Sequence, residues 1–264
     1  FYARSRCRQL VLGMGFSEAM HYSFLSAKEL DAFDARGADR RAVLPNPVSA
    51  DYGVLRDSLL PQLAGSLGRN ASRQVESAGL FEMGRVFFVD AEGKPGEEER
   101  VALGLMGPFG RSAIDRRRAV SNEESLLWLK GAVETLVASL HAGAVSFARC
   151  EHPAMETGWA VEITLDGATV GCMGLVSSAL RHQWRMTAPM ALAELRLAPL
   201  LAGVAAFTAV KPVPQYPAVR RDIAFVCDTA VAHCDVVATI RKAGSAELTS
   251  IELFDIFQSK EIGK

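Results

Sequence analysis

The chain has 264 residues, 49% hydrophobic and 22% charged, which is the composition of a globular protein with a substantial buried core. Its 29 basic and 30 acidic side chains give a net charge of −1, which excludes a broad electrostatic surface for nucleic acid and leaves only local contacts with it. The longest uncharged apolar run, residues 197–210, contains Pro199 and falls short of the ~20 residues of a membrane span, so we expect no membrane segment. Five scattered cysteines without a C-x-x-C pair favour a reducing compartment, and the cytoplasm is the default.

Periodic apolar residues define the first elements. Residues 7–14 carry an apolar face at helical spacing, and residues 20–24 alternate as in a half-buried strand. Ser26 and Glu29 form a capping box, which predicts the start of a short helix. Because the sequence begins with Phe1 rather than Met, we expect it to start inside a longer polypeptide or after processing.

The middle of the chain alternates helix and strand patterns. Ser58 is a plausible N-cap and Pro61 fits the first turn of a helix whose leucines share one face. Residues 76–89 predict a strand in which Gly84 marks a bulge or a tight turn. The polar, Gly- and Pro-containing residues 92–100 predict a surface loop.

The next signals indicate further strands around one long helix. Residues 101–107 predict a strand and residues 126–140 an amphipathic helix. Asp166-Gly167 between two alternating runs predicts a β-hairpin with a two-residue turn, and residues 190–197 predict another strand. Antiparallel signals with helices between them indicate an α+β domain on an antiparallel sheet.

A shift to Ala, Val and Pro over residues 202–214 predicts a linker to a second domain. Beyond it we expect a strand at residues 220–227, a helix over 233–244 and a strand over 248–258, which is a thin core for an independent unit. The predicted domains are therefore residues 1–203 and 212–264, and we expect the C-terminal domain to be incomplete.

Five ordered motifs resemble one family, the phenylalanyl-tRNA synthetase beta chain. GMGFSEAMHYSFLS is similar to its GF-x-E-x-x-x-YSF segment, and LPNPVSADYGVLRDSLLPQL is similar to its NP-x-S…LR-x-SL-x-P segment. LFEMGRVF resembles the following FE-x-G strand. PQYPAVRRDIAFV and IELFDIF resemble elements of the family's ferredoxin-like, anticodon-binding-type domain.

The resemblance implies an α+β fold in which a class II aminoacyl-tRNA-synthetase-like antiparallel sheet is flanked by helices, followed by a truncated ferredoxin-like domain. It implies a beta-subunit part of phenylalanine-tRNA ligase, which scaffolds the catalytic alpha subunit in an alpha2beta2 heterotetramer and contributes to tRNA(Phe) binding in the cytoplasm. ATP and magnesium would be used by the holoenzyme, with no cofactor bound by this part.

The resemblance also implies that the sheet has lost adenylation chemistry. Class II adenylation needs an R-x-E strand and a second arginine in a Gly-rich strand–helix segment, because both arginines grip phosphates with bidentate hydrogen bonds. Here the corresponding strand has Glu82 before Arg85, and residues 171–186 lack the phosphate-binding pattern. We therefore predict no catalytic residue and no metal ligand in the chain.

The remaining charged candidates have two interpretations each. Arg56, Glu82 and Arg85 are motif charges that either face the subunit interface or orient a helix and strand through an internal ion pair. Arg220 and Arg221 are the best candidates for contacts with tRNA, although pairing with Asp222 or with the class II synthetase-like domain is an equal alternative. The run Arg116 to Arg118 either contacts RNA phosphates or lies in a solvated loop.

An alternative function remains open at this point. The same fold could serve a free-standing ATP-dependent ligase or an amino-acid-binding protein. ATP binding by the chain without any partner would distinguish this alternative from a scaffold.

Overall fold

The computed structural model describes residues 2–33, 40–112, 114–115, 118–204, 215–245 and 247–257. They fall into two compact units, Phe1–Thr208 and Ala209–Lys264. The helices of the first unit are α1 (Tyr2–Gly13), α2 (Ala27–Asp31), α3 (Leu60–Ser72), α4 (Asn122–Leu140), α5 (Ser178–His182) and α6 (Leu197–Ala202). Its strands are β1 (Ser17–Glu18), β2 (Phe24–Leu25), β3 (Val54–Leu55), β4 (Ala78–Val89), β5 (Pro95–Met106), β6 (Val145–Cys150), β7 (Met155–Leu165), β8 (Ala168–Val176) and β9 (Met190–Arg196).

The described strands build one large sheet and one small one. The large sheet has seven strands in the order β1-β4-β5-β9-β8-β7-β6, and β2 pairs with β3 in the small sheet. All neighbours in the large sheet are antiparallel except β1 and β4, which run parallel. The predicted α+β architecture on an antiparallel sheet is thereby confirmed.

The large sheet is buried on both faces because alternate residues of its central strands meet different helices. On one face Leu103 and Leu195 pack with α1, α4 and α6 in the main core. On the other face α3 lies over β4, β5 and β9. A Cβ built on Gly104 would come within 2.8 Å of Leu192 and Leu67, so glycine is needed for this close approach.

Several local predictions are confirmed. Helices α1 and α4 form where the apolar periodicity predicts them, and the Ser26–Glu29 capping box begins α2 with both reciprocal hydrogen bonds. Asp166 and Gly167 have φ angles of 49° and 82°, as a two-residue hairpin turn between right-twisted strands requires. Within the described residues no helix has the length and hydrophobicity to cross a bilayer.

The predicted half-buried strand over residues 20–24 is wrong. Met20 is 90% exposed and Tyr22 77% exposed, and only Phe24 of this segment belongs to a strand. The backbone leaves the large sheet after Ala19, whose N–H donates to the carbonyl of Phe81. Alternation in the sequence therefore marks an exposed segment here, because tertiary contacts redirect the chain.

The predicted bulge at Gly84 is also wrong. The pairing of β4 with β5 runs without a break from Ala78 to Val89. The glycine has a different cause: a Cβ on Gly84 would lie 2.3 Å from the Arg56 guanidinium. A buried side chain from a neighbouring segment thus requires the missing Cβ.

The predicted surface loop over residues 92–100 is shorter than expected. The turn occupies residues 90–94, where the Asp90 carboxylate accepts hydrogen bonds from the N–H groups of Glu92 and Lys94. Strand β5 already begins at Pro95. The charged residues at the start of β5 form ion pairs with the neighbouring strand, as Glu97 does with Arg85 of β4, and this explains why a polar sequence forms a strand.

The second unit contains the predicted helix, α7 (His233–Ala243), which ends before Gly244. The strands predicted at residues 220–227 and 248–258 do not form within the described residues 215–245 and 247–257. Of the predicted linker over residues 202–214, residues 205–214 lie outside the described residues, and Ala202 is the last residue of α6.

Candidate functional site

A buried ion pair joins the two most recognisable motifs of the first unit. Arg56 Nη1 lies 2.7 Å from Glu82 Oε1, and both side chains are only 4% exposed. The guanidinium also donates through Nε to the carbonyl of Arg85 at 2.9 Å and through Nη1 to the Gln62 amide oxygen at 3.2 Å. Gly84 leaves room for this guanidinium against β4. These contacts attach the segment before α3, which contains Arg56, to strand β4.

His21 extends this network from the other side. Its Nδ1 lies 2.6 Å from Glu82 Oε2, and its Nε2 lies 2.6 Å from Ser66 Oγ. Ser66, His21 and Glu82 thus follow the order of a hydrolase triad. However, Ser66 lies within α3, where the backbone N–H groups bond inside the helix and cannot form an oxyanion hole for it. Because Arg56 also neutralises Glu82, the arrangement is a structural tie.

The electrostatics of Glu82 favour its ionised form. Burial alone would raise the pKa of this carboxyl, but the hydrogen bond from His21 and the charge and hydrogen bond of Arg56 outweigh it. The pKa of Glu82 therefore lies below its ordinary value. A carboxylate that stays charged inside the protein needs these partners in place.

An open cleft of about 740 Å³ lies beside His21. A cleft of this size falls within the range of ligand pockets and of partner side-chain sockets. Its rim carries exposed apolar and aromatic side chains together with charged ones, among them Met20, Tyr22, Tyr52, Glu29, Asp51 and Arg69. Exposed apolar groups around one cavity are typical of a surface that a partner covers.

A second charge network crosses β5 and β9. Arg100 pairs with Glu194, which is 5% exposed, and with Glu98 Oε2 at 3.0 Å. Arg196 Nε reaches Glu98 Oε1 at 2.6 Å. Burial would lower the pKa of Arg100, but the two carboxylates raise it overall, so the guanidinium remains charged and fully engaged.

Glu194 also begins α3. Its Oε1 accepts a hydrogen bond of 2.6 Å from the Leu59 N–H and one of 3.1 Å from Ser58 Oγ. The predicted N-cap, Ser58, instead accepts from the Leu60 N–H, and the helix starts one residue later than expected. An anionic carboxylate at a helix N-terminus is stabilising, so a strand residue holds α3 over the sheet.

The histidines and thiols show no reactive arrangement. In the part of the chain that the structure describes, no group of three His, Cys, Asp or Glu side chains is close enough to hold a metal. His152 accepts from the Ala154 N–H in a turn, and burial lowers its pKa. All five thiols are free, and burial raises the pKa of Cys172 to about 12, which keeps it protonated.

Comparison with known families decides the assignment. The model described as "Phenylalanyl tRNA synthetase beta chain CLM domain" matches residues 2–197. The chain belongs to the phenylalanyl-tRNA synthetase beta chain family. A second model, "Ferredoxin-fold anticodon binding domain", matches residues 214–264 of this beta-chain sequence. The family predicted from the five motifs is therefore confirmed.

Similar proteins bear the same description. The beta-chain sequence is 30% identical over 264 residues to the phenylalanine–tRNA ligase beta subunit of Symbiobacterium thermophilum, covering 97% of this chain and 29% of that protein. It is 31% identical over 261 residues to that of Bacillus subtilis, covering 98% and 32% respectively. The chain therefore spans about a third of the length of these relatives.

Solved structures support the fold of the beta chain. A pyrrolysyl-tRNA synthetase from Desulfitobacterium hafniense matches with a TM-score of 0.57 at 14% identity, over 76% of this chain and 64% of that chain. A second crystal structure of the pyrrolysyl enzyme from that organism gives 0.56 at the same identity, over 76% and 67%. The class II synthetase-like sheet flanked by helices is therefore confirmed as a fold.

The structure separates the candidate residues of the beta chain. It brings Arg56 and Glu82 together, while the Arg85 side chain points away to Glu97 at 3.1 Å, both more than half exposed. Arg220 and Arg221 are exposed in the second unit, without an ion pair to a described carboxylate. Of the basic run, Arg116 and Arg117 lie outside the described residues, whereas Arg118 approaches Glu124 at 3.4 Å.

Sequence reasoning missed His21, Ser66, Arg100 and Glu194. His21 and Ser66 carry no local pattern, because their contacts join segments 45 residues apart. Glu194 did leave a signal: it is the one carboxylate in a strand otherwise made of Ala, Leu and Met before Arg196. A lone charge in a fully buried strand indicates a specific partner.

Proposed function

We propose that this chain is the part of a phenylalanine–tRNA ligase beta subunit that scaffolds the catalytic alpha subunit and contributes to tRNA(Phe) binding. The ligase attaches phenylalanine to tRNA with ATP and magnesium in an alpha2beta2 assembly of the cytoplasm. The family membership and the names of the relatives support this proposal.

One observation carries the assignment of a non-catalytic role. The arginines buried against the sheet face under α3 are already neutralised by carboxylates of the same chain: Arg56 by Glu82, and Arg100 by Glu194 and Glu98. A phosphate could bind these arginines only by displacing their carboxylate partners. A carboxylate displaced in this way would remain inside the protein without a counter-ion. These residues therefore do not fit ATP, and we assign its binding, and that of magnesium, to the alpha subunit.

The two predicted domains would divide the work. We assign residues 1–203 to docking, because exposed apolar side chains such as Met20 and Tyr22 surround a cleft there. We assign residues 212–264 to tRNA binding, with Arg220 and Arg221 as phosphate contacts. Arg56 and Glu82 keep the docking scaffold in shape, and Arg85 with Glu97 forms a surface pair open to a partner.

Co-expression tests the proposal. The full beta subunit that contains this chain should co-purify with its alpha subunit and yield phenylalanine-dependent aminoacylation. This chain alone should give no phenylalanine-dependent pyrophosphate exchange. Exchange activity or micromolar ATP binding by the chain alone would contradict the proposal and favour the alternative of a free-standing ligase or amino-acid-binding protein.

A further inference from the structure

The C-terminal turn of α3 meets the turn after α5 through one close contact. A Cβ on Gly68 would lie 2.3 Å from the Trp184 ring, so the indole rests directly on the helix backbone. Ser72 Oγ lies 3.0 Å from the Gly68 carbonyl oxygen and 3.2 Å from that of Trp184, so its hydroxyl is a second contact between the two segments. Residues adjacent to these contacts are therefore held next to each other.

The side chains around this junction are basic. Residues 60–75 and 177–190 contain four arginines and no Asp or Glu, although the whole chain has a net charge of −1. Arg181 is used internally, since its guanidinium donates to the carbonyls of Val176, Thr187 and Ala188. The exposed basic residues, here called the basic seam, are Arg69, Arg73, His182 and Arg185.

The guanidinium groups of the basic seam are available. Among the described residues, neither Arg73 nor Arg185 has a carboxylate within 4.0 Å. Arg69 donates to Ser66 Oγ at 2.8 Å and forms no ion pair there. Several other arginines of the unit, such as Arg111 with Glu124, are neutralised by acidic side chains. Arg69 shares the rim of the cleft beside His21 with Glu29 and Asp51, so the counter-charge is missing at Arg73 and Arg185, and a polyanionic ligand would supply it.

We propose that the basic seam binds the phosphate backbone of RNA, and this assignment rests on the proposed function because the RNA would be the tRNA of the ligase. Guanidinium forks bind phosphate oxygens with two parallel hydrogen bonds, and such contacts position a nucleic acid without reading its sequence. Arg69 lies in α3 and Arg73 is its C-cap residue one helical turn later, while Arg185 directly follows Trp184, whose ring contacts Gly68. A local cationic patch also agrees with a chain whose overall charge excludes broad electrostatic binding.

The test measures tRNA(Phe) binding by the assembled alpha–beta ligase at several salt concentrations. The double variant Arg73→Gln/Arg185→Gln should raise Kd about tenfold or more, and should lower the slope of log K against log salt by about 1.5, since each neutralised phosphate contributes about 0.7–0.9. The control Lys28→Gln/Arg149→Gln removes two other exposed charges for which the described residues supply no carboxylate within 4.0 Å, and it should leave both quantities unchanged. Phenylalanine-dependent pyrophosphate exchange, which needs no tRNA, should stay unchanged in both variants.

A further variant tests the geometry. Gly68→Val keeps all charges but pushes Trp184 off α3, so it should also raise Kd, provided that its thermal unfolding shows a folded protein.

Unchanged Kd and salt slope in Arg73→Gln/Arg185→Gln, with wild-type ligase binding tRNA, would overturn the proposal for the basic seam and leave the proposed function intact. Loss of alpha-subunit co-purification in Arg73→Gln/Arg185→Gln would identify the basic seam as a protein contact and overturn the proposal too. Failure of the wild-type beta subunit to assemble or bind tRNA would instead overturn the proposed function.

Discussion

Glu82 is the residue through which three segments of the first unit meet. Its two carboxylate oxygens hold Arg56 on one side and His21 on the other, in a site that is nearly closed to water. Replacing a whole buried ion pair by apolar groups is often nearly neutral, whereas removing one partner strands a buried charge. The role of Glu82 is therefore best tested by comparing single and double variants.

Glu82→Gln should lower the free energy of unfolding by about 3 kcal/mol or more, because Arg56 stays charged and loses its counter-ion. The double variant Arg56→Met/Glu82→Leu should lose less than the two single variants together. Urea unfolding of the chain measures both. Arg85→Gln, which breaks an exposed pair, serves as the control and should cost under about 1 kcal/mol. A loss below that control value in Glu82→Gln would contradict the stabilising role.

The same carboxyl should make stability depend on acidity. The pKa of Glu82 in the folded protein lies below its unfolded value of about 4.3, so its contribution is complete above that pH. As the pH falls through the lower folded pKa, the carboxyl is protonated in both states and the contribution disappears. The stability difference between wild type and Glu82→Gln should thus be constant near neutrality and shrink below pH ~4.5. A difference that grows on acidification would refute this sign.

At the scale of elements, α3 is positioned by side chains from the sheet rather than by its own N-cap. Its cap residue Leu59 makes no side-chain cap bond, and Glu194 of β9 supplies the acceptor instead. The same carboxylate neutralises Arg100. Glu194 therefore fixes the start of α3 against the sheet and also neutralises the charge of Arg100.

Glu194→Ala should destabilise the chain by about 3 kcal/mol, because it leaves the buried Leu59 N–H without an acceptor and Arg100 with one carboxylate fewer. Glu194→Gln keeps an acceptor oxygen and should cost about half as much. Hydrogen exchange should report the loss as faster exchange in the first turn of α3. Ser121→Ala, which removes the ordinary N-cap of α4, is a matched control at about 1 kcal/mol and should affect only α4. Equal effects of Ala and Gln at position 194 would exclude the capping role.

At the scale of the whole molecule, the two units differ in how much they bury. The first unit has a continuous core on each side of its sheet. In the second, residues 215–245 and 247–257 include no buried side chain, and Phe225, Phe254 and Phe257 are each more than half exposed. Local stability follows buried apolar contacts, so the two units should exchange amide hydrogens very differently.

Amides of β4, β5 and β9 should exchange with protection close to that of global unfolding. Amides over residues 220–227 and 248–257 should exchange within minutes, because no strand among the described residues pairs with them, while those of α7 should be intermediate. Mass spectrometry after exchange measures all three groups on one sample. Slow exchange over residues 220–227 would show that a strand ladder protects these amides and would contradict this prediction.

Local patterns by themselves determined the long helices, the Asp166-Gly167 hairpin, the capping box of α2 and the family, because each depends on residues close together in sequence or on ordered motifs. The tertiary structure decided the rest. Residues 20–24 alternate like a strand yet stay exposed, since contacts with other segments redirect the backbone. Gly84 is required by a guanidinium 28 positions earlier, and the cap of α3 comes from a strand 135 residues later. Residues so far apart in sequence come into contact only when the chain folds. Once they are buried as ion pairs, their charges are neutralised and cannot bind a ligand.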